Sequence, residues 1–200
     1  MNIYLLHHGQ TCWNQERRLQ GLRDIPLNSL GIRQSRRLVE WHRKTAVTRI
    51  VSSPLVRARR TAQILGDHNG RSPLVDDRLR EIDHGPWTGL QLPAIEHRFP
   101  HEFATWSFFP EKLRLPSSES LGAVYRRCTC FLMDVLHSSG NEDVLVVSHG
   151  VVNALLLCAA LGASPGRIRE FSLSNATVSA LRIKQRKIVA VERELDAITE

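Results

Sequence analysis

The sequence predicts an α/β fold: a three-layer α/β/α sandwich with a mostly parallel central sheet, helices on both faces and a lid insertion. Three observations carry this expectation. Short apolar, β-branched runs alternate with longer stretches of helical periodicity. Two of the strand-like runs end in a His-Gly turn, at His8 and His149. Residues 83–118 interrupt the alternation with prolines and with aromatics such as Trp87, Phe99, Phe103, Trp106, Phe108 and Phe109. That stretch is read as a lid over the sheet, so residues 1–200 form one domain with a lid insertion at about 83–118.

Asn2 to His7 reads as a buried strand closed by a Gly turn. Leu30 to Lys44 suits an Arg-coated helix, with apolar positions at Leu30, Leu38, Val39 and Trp41 and Ser29 as its cap. Thr48 to Ser52 is a short strand, after which Pro54 opens a helix that runs to about Asp67. Ser120 to His137 places Leu121, Val124, Cys128, Phe131, Leu132 and Val135 on one stripe of a long helix. Asp143 to Ser148 is the clearest buried strand, and Gly150 to Gly162 is an apolar helix that follows it. Glu170 to Ser174 and Thr177 to Lys184 read as paired strands, with a further strand over Lys187 to Arg193.

Composition removes several classes. The chain has 200 residues, 42% hydrophobic and 24% charged, which excludes a mainly disordered or low-complexity chain. Its longest apolar run, Val151 to Ala163, is broken by Asn153 and falls short of the roughly 20 residues a bilayer span needs. The start, MNIYLLHHG, lacks a basic segment and a small-residue cleavage site, so no secretory leader is expected. Cys12, Cys128, Cys130 and Cys158 form no C-x-x-C pair; Cys128 and Cys130 fall on different faces of a helix. Reduced thiols in a cytoplasmic protein follow. Between Arg17 and Arg60 twelve basic residues face only Asp24 and Glu40, so this stretch carries +10 of a net +7. Such a field attracts an anion, either a phosphorylated metabolite or nucleic acid. No nucleic-acid motif accompanies the charge.

The two His-Gly turns stand at strand carboxyl ends, the edge at which open α/β sheets bind ligands. The segment SSPLVRARRTA follows a third strand and opens a helix, whose free N–H groups are suited to an anion. Arg57 sits in that first turn, where a cation opposes the helix dipole, and this marks it as functional.

Six segments then fall in order: LLHHGQTCWN at Leu5 to Asn14, SSPLVRARRTA at Ser52 to Ala62, LREIDHGPWTG at Leu79 to Gly89, PSSES at Pro116 to Ser120, VVSHG at Val146 to Gly150, and SNATVSAL near the end. Together they resemble the motifs of the histidine phosphatase superfamily, the phosphoglycerate mutase-like family, and within it the phosphatase branch that includes α-ribazole phosphatases. The resemblance implies that His8 is a nucleophile that takes the phosphoryl group, with Arg57 and His149 holding its oxygens. Glu81 would protonate the leaving oxygen and then activate water. Asn14 and the Gly9–Thr11 backbone would add donors, and Gln20 and Gly21 match a loop near the substrate. It implies no metal and no cofactor.

One residue departs from the pattern. The family has Arg immediately before the nucleophile, where this chain has His7. His lacks the planar, permanently charged fork of Arg. Losing such a contact costs on the order of 2–4 kcal/mol in a transition state. The chain is then a weak phosphatase, or Arg17 or Arg18 substitutes, or the pocket serves another substrate. His84, beside the acid motif, is read as structural, and the aromatics of 83–118 as the core of the lid.

The expected function is a cytoplasmic, metal-independent phosphomonoesterase that acts on a small phosphorylated metabolite through phosphohistidine. The alternative is a mutase-like or catalytically impaired member that binds a phosphorylated ligand. The short chain favours the phosphatase. The expected partner is the substrate alone, with no nucleic acid and no membrane; a homodimer stays open.

Overall fold

A computed structural model describes residues 1–138, 140–171 and 173–195. It contains a six-stranded sheet with helices on both faces, as the alternation predicts. The strands are β1 (Asn2–His7), β2 (Val47–Ser52), β3 (Leu74–Val75), β4 (Asp143–Ser148), β5 (Val178–Lys184) and β6 (Lys187–Leu195), in the order β3-β2-β4-β1-β5-β6. The first four in this order run parallel; β5 joins β1 antiparallel and β6 joins β5 antiparallel.

Period-2 alternation sorts side chains to the two faces. Ile3, Leu5, Val144 and Val146 pack with Phe131, Leu132 and Leu155, from helices α6 (Leu121–Ser138) and α7 (Gly150–Ala160). Leu6, Ile50, Leu145 and Val147 pack with Leu38, Ala58 and Leu65, from α2 (Ser29–Arg43) and α3 (Val56–Asp67). The central strand β4 is buried along its whole length, which is why DVLVVS reads as a continuous apolar run. The predicted stripe of α6 is buried, from Leu121 to Val135. Among the described residues no single helix is long and apolar enough to cross a membrane.

Some expectations are corrected. Asn28 caps α2 in place of Ser29, its Oδ1 accepting from the Gly31 N–H at 2.8 Å. Pro54 precedes α3 without opening it, because Leu55 is still extended (φ −70°, ψ 138°). The strand expected over Glu170 to Ser174 begins instead inside a 3₁₀ helix, Pro165–Phe171; Ser172 lies outside the described residues. Ile168 and Phe171, three apart, both bury, and that is the 3₁₀ period. The partner it was expected to pair, β5, pairs with β1 and β6.

Residues 83–118 are a chain of short helical pieces: 3₁₀ turns at Gly85–Trp87 and Pro110–Lys112, and helices α4 (Leu92–Arg98) and α5 (Pro100–Phe108). Each of the four carries a proline in its first turn, where the missing N–H is no loss. Four of the five prolines that break the pattern are helix starts, and the fifth, Pro116, lies in a turn. Trp87 and Ile95 are buried, whereas Phe108 and Phe109 are 76% and 53% exposed.

Candidate active site

Register builds the site. His7 on β1 pairs with Ser148 on β4, and Ser52 on β2 pairs with Val147. Three parallel strands therefore end level, and the next residues, His8, His149 and Ser53, leave the sheet side by side. His8 N–H donates to Ser148 O at 3.1 Å and Ser53 N–H to Val147 O at 3.0 Å, which continues the ladder one step past the strands. The turn after His8 is tight against α2: a Cβ on Gly9 would lie 2.5 Å from the Gly31 carbonyl oxygen, and one on Gly31 only 2.1 Å from that of Gln10. Both positions admit only glycine.

His8 is buried and its tautomer follows from its partners. Nδ1 lies 2.7 Å from the Gly9 carbonyl, which only accepts, so Nδ1 carries the proton. Arg57 Nε, which only donates, points at Nε2 from 3.2 Å, so Nε2 presents its lone pair. Burial, with His7 and Arg57 nearby, pushes the His8 pKa well below its ordinary value. The ring is thus a neutral base that lines a cavity of about 340 Å³, with the Arg57 Nε–H on its lone pair.

Arg57 is held by the loop before α2: Nη1 donates to Arg23 O at 2.7 Å and Nη2 to Gly21 O at 2.9 Å. Burial lowers its pKa to about 10, opposed by Glu81 and Asp24, so it stays a cation. Asp24 also accepts from the Val56 N–H at 2.6 Å. The α3 N-terminus expected to take an anion thus already holds a carboxylate of the chain.

Glu81 Oε1 accepts from the Ile82 N–H at 3.0 Å and Oε2 from the Val151 N–H at 3.4 Å. Burial raises its pKa, against those N–H groups and Arg57. His149 is fully buried and meets His8 edge-on, with ring centroids 5.1 Å apart. Its Nε2 lies 2.7 Å from Ser53 Oγ, and its Nδ1 has no protein partner. Burial and Arg57 hold His149 well below its ordinary pKa.

His8, Arg57, Glu81, His7, Asn14, Gln20 and Gly21 all line the cavity; His149 stands behind His8. Gly9 and Thr11 do not line it. Their N–H groups are spent inside the protein, Gly9 on Thr61 Oγ1 and Thr11 on Asn14 Oδ1, each at 3.1 Å. His7 is neutral: burial lowers its pKa to about 4, Nδ1 donates to Leu173 O at 3.0 Å, and Nε2 faces the Asn175 amide at 3.4 Å. Of its two suggested substitutes, Arg18 lines the cavity and Arg17 does not, but Arg18 is bound to Glu16 and to Gly89 O. His84 also lines the cavity, and burial lowers its pKa to about 4.

Several groups escaped sequence reasoning. Glu119 and Arg127 form a largely buried ion pair at 2.8 Å. Arg127 also donates to Arg78 O at 2.5 Å and Glu81 O at 3.4 Å, and Glu119 N–H donates to Asp83 O at 3.0 Å. This clamp fixes the backbone on both sides of the Glu81 side chain. Asn175, within SNATVSAL, donates to His8 O at 3.1 Å. Ser53, Glu119 and Asn175 stand inside segments the sequence singles out, whereas Arg127 carries no local signal.

The model of the histidine phosphatase superfamily (branch 1) matches residues 3–195. Phosphoserine phosphatase 1 of Hydrogenobacter thermophilus is 32% identical over 192 residues, 96% of this chain and 91% of that protein. A probable phosphoglycerate mutase of Yersinia pestis is 32% identical over 182 residues, 90% of this chain and 83% of that protein. The solved α-ribazole phosphatase of Shigella flexneri has the same fold, with a TM-score of 0.89 at 22% identity, covering 100% of this chain and 99% of that one. A match that runs from β1 into β6, across every strand that builds the cavity edge, places this chain in the histidine phosphatase superfamily.

Proposed function

We propose that the chain is a phosphomonoesterase that transfers the phosphoryl group of a small metabolite to His8 and then to water. The observation that carries this is the His8 ring at the cavity wall: neutral, with the proton locked on Nδ1 and the Nε2 lone pair met by the Arg57 guanidinium. Arg57 Nε–H meets that lone pair, and a phosphoryl oxygen is the stronger, charged acceptor for the same N–H, so phosphate binding leaves Nε2 free to attack. The two Nη bonds to Arg23 and Gly21 keep Arg57 in place meanwhile.

In the first step Nε2 forms a bond to phosphorus as the ester P–O bond breaks, and Glu81 gives its proton to the leaving oxygen. The raised pKa of Glu81 keeps that proton available. The Nδ1–H bond to Gly9 O steadies the positive charge on the phosphorylated ring. In the second step water attacks phosphorus, Glu81 takes back a proton, and the P–N bond breaks. The resemblance gives His149 a hold on the phosphoryl oxygens, but its ring does not line the cavity and its uncommitted Nδ1 is buried, so we read it as a positioning residue packed edge-on against His8. Both steps proceed without metal or cofactor in this reading. Residues 83–118 act as the lid, since Trp106 of α5 lines the cavity. A cytoplasmic location is supported by four free cysteines, two of them exposed.

The test is phosphate release from a panel of phosphomonoesters in EDTA, with His8→Ala as control. Turnover that disappears in the variant, by at least about a thousandfold, supports the reading. Turnover retained by His8→Ala, or lost in EDTA, overturns it. Exchange of phosphate between two hydroxyls without release points to the mutase alternative.

A further inference from the structure

We propose that Arg169 reads the far end of the substrate, and that the substrate is a small phosphate ester that also carries a carboxylate. The inference rests on the phosphatase reading and adds the class of ester. Among the described residues four charged side chains line the cavity: Arg18, Arg57, Glu81 and Arg169. Arg57 and Glu81 are buried at its floor and face the reacting group. Arg18 is paired with Glu16 at 2.6 Å. Arg169 is exposed at the mouth and, among the described residues, has no carboxylate within ion-pair distance; its neighbour Glu170 is taken by Arg167 at 2.6 Å. Among the described residues the one hydrogen bond of the Arg169 side chain is from Nη2 to Trp106 O at 3.4 Å, a long contact that joins the Pro165–Phe171 turn to α5.

The mouth therefore presents an uncompensated guanidinium beside an apolar wall of Trp106, Ile168 and Leu173. A planar fork of N–H donors matches a carboxylate in two-point geometry. A neutral polyol would leave that charge unused. The volume of about 340 Å³ is at the small end for ligand sites, so a compound with its phosphate on the floor has its other end near the mouth.

O-phosphoserine and O-phosphoethanolamine differ only by the carboxylate, and they form the test. The wild type should favour phosphoserine in kcat/KM by about tenfold, the modest size reflecting a solvent-exposed contact. Arg169→Met should bring the ratio toward one, mainly through KM for phosphoserine, and Arg169→Lys should retain part of it. An unchanged ratio in Arg169→Met, or a wild-type preference for phosphoethanolamine, overturns the proposal. Calorimetric binding of both esters to His8→Ala and to His8→Ala with Arg169→Met carries the same comparison without chemistry. If the wild type turns over neither ester but releases phosphate from others in the panel, the carboxylate proposal falls and the phosphatase reading stands; if it turns over nothing in the panel, the phosphatase reading falls and the binding ratio alone decides the role of Arg169.

Discussion

The floor and the mouth of the cavity are built by different means. The floor stands on three parallel strands that end level: His8 and His149 directly follow β1 and β4, Arg57 comes from the first turn of α3 after β2, and Glu81 from the segment after β3. His8, Arg57 and Glu81 are buried and held by backbone carbonyls or N–H groups at short range. The mouth is built from proline-started helices and a 3₁₀ turn, and it joins α5 to the Pro165–Phe171 turn through one long bond from Arg169 to Trp106. The floor is tied to the sheet ends by buried backbone bonds, whereas the mouth rests on short helices and turns outside the sheet. A common chemistry with variable substrate choice is what that division permits.

Glu81→Gln is the severest break at the floor after loss of the nucleophile. It should slow esters with poor leaving groups by about 10²–10⁴-fold and p-nitrophenyl phosphate far less. Equal losses on both remove Glu81 as the general acid. The pH profile sharpens this. Burial holds Glu81 protonated to higher pH than an ordinary carboxyl, so kcat/KM should fall as pH rises through that raised pKa. His8 is depressed well below its ordinary value, so it should impose no acid limb at mildly acidic pH. Glu81→Gln should erase the alkaline limb; because the ester's own ionisation is common to both proteins, it cancels in the comparison.

The same contrast explains what could be read from the sequence. The strand ends, the two His-Gly turns and Arg57 were legible because each depends on neighbours within a few residues. The stripe of α6 was legible because it is periodic. Arg127 was not: it lies 46 residues from Glu81, and its reason for being there exists only once α6 packs beneath the Glu81 loop. Arg169 escaped for the same reason, since its partner Trp106 is 63 residues away. The strand expected over Glu170 to Ser174 was misplaced because Phe171 and Leu173 alternate at the strand period, while the partner that sets Phe171 in the 3₁₀ turn, Ile168, stands three residues earlier.

Arg127→Leu tests the clamp, with a smaller effect on rate than Glu81→Gln. It leaves Glu119 largely buried without its partner and should cost about 2–3 kcal/mol of stability, read as a lower midpoint in urea. Turnover should drop about tenfold, with the alkaline limb displaced, because the backbone that aims Glu81 is no longer held from Arg78 to Asp83. A stability loss with an unmoved pH profile would mean that the pair is merely structural.

His7→Arg should have the smallest effect, and its sign matters more than its size. Sequence reasoning assigned the missing Arg a cost of about 2–4 kcal/mol. The structure reduces what can be regained. His7 is neutral, tied to Leu173 O and Asn175, and packed 3.5 Å from where a Cβ on Gly150 would sit. An arginine there adds a permanent charge beside His8, but it enters a wall already fitted to an imidazole. A gain in kcat/KM of up to about tenfold is expected, with a flatter response to pH. That result means the site still binds phosphate as its relatives' motif would, and that His7 only weakens the hold. A drop on the preferred ester, with p-nitrophenyl phosphate less affected, means the opposite: the Leu173–His7–Asn175 contacts belong to substrate choice, and the boundary between floor and mouth runs through residue 7 itself.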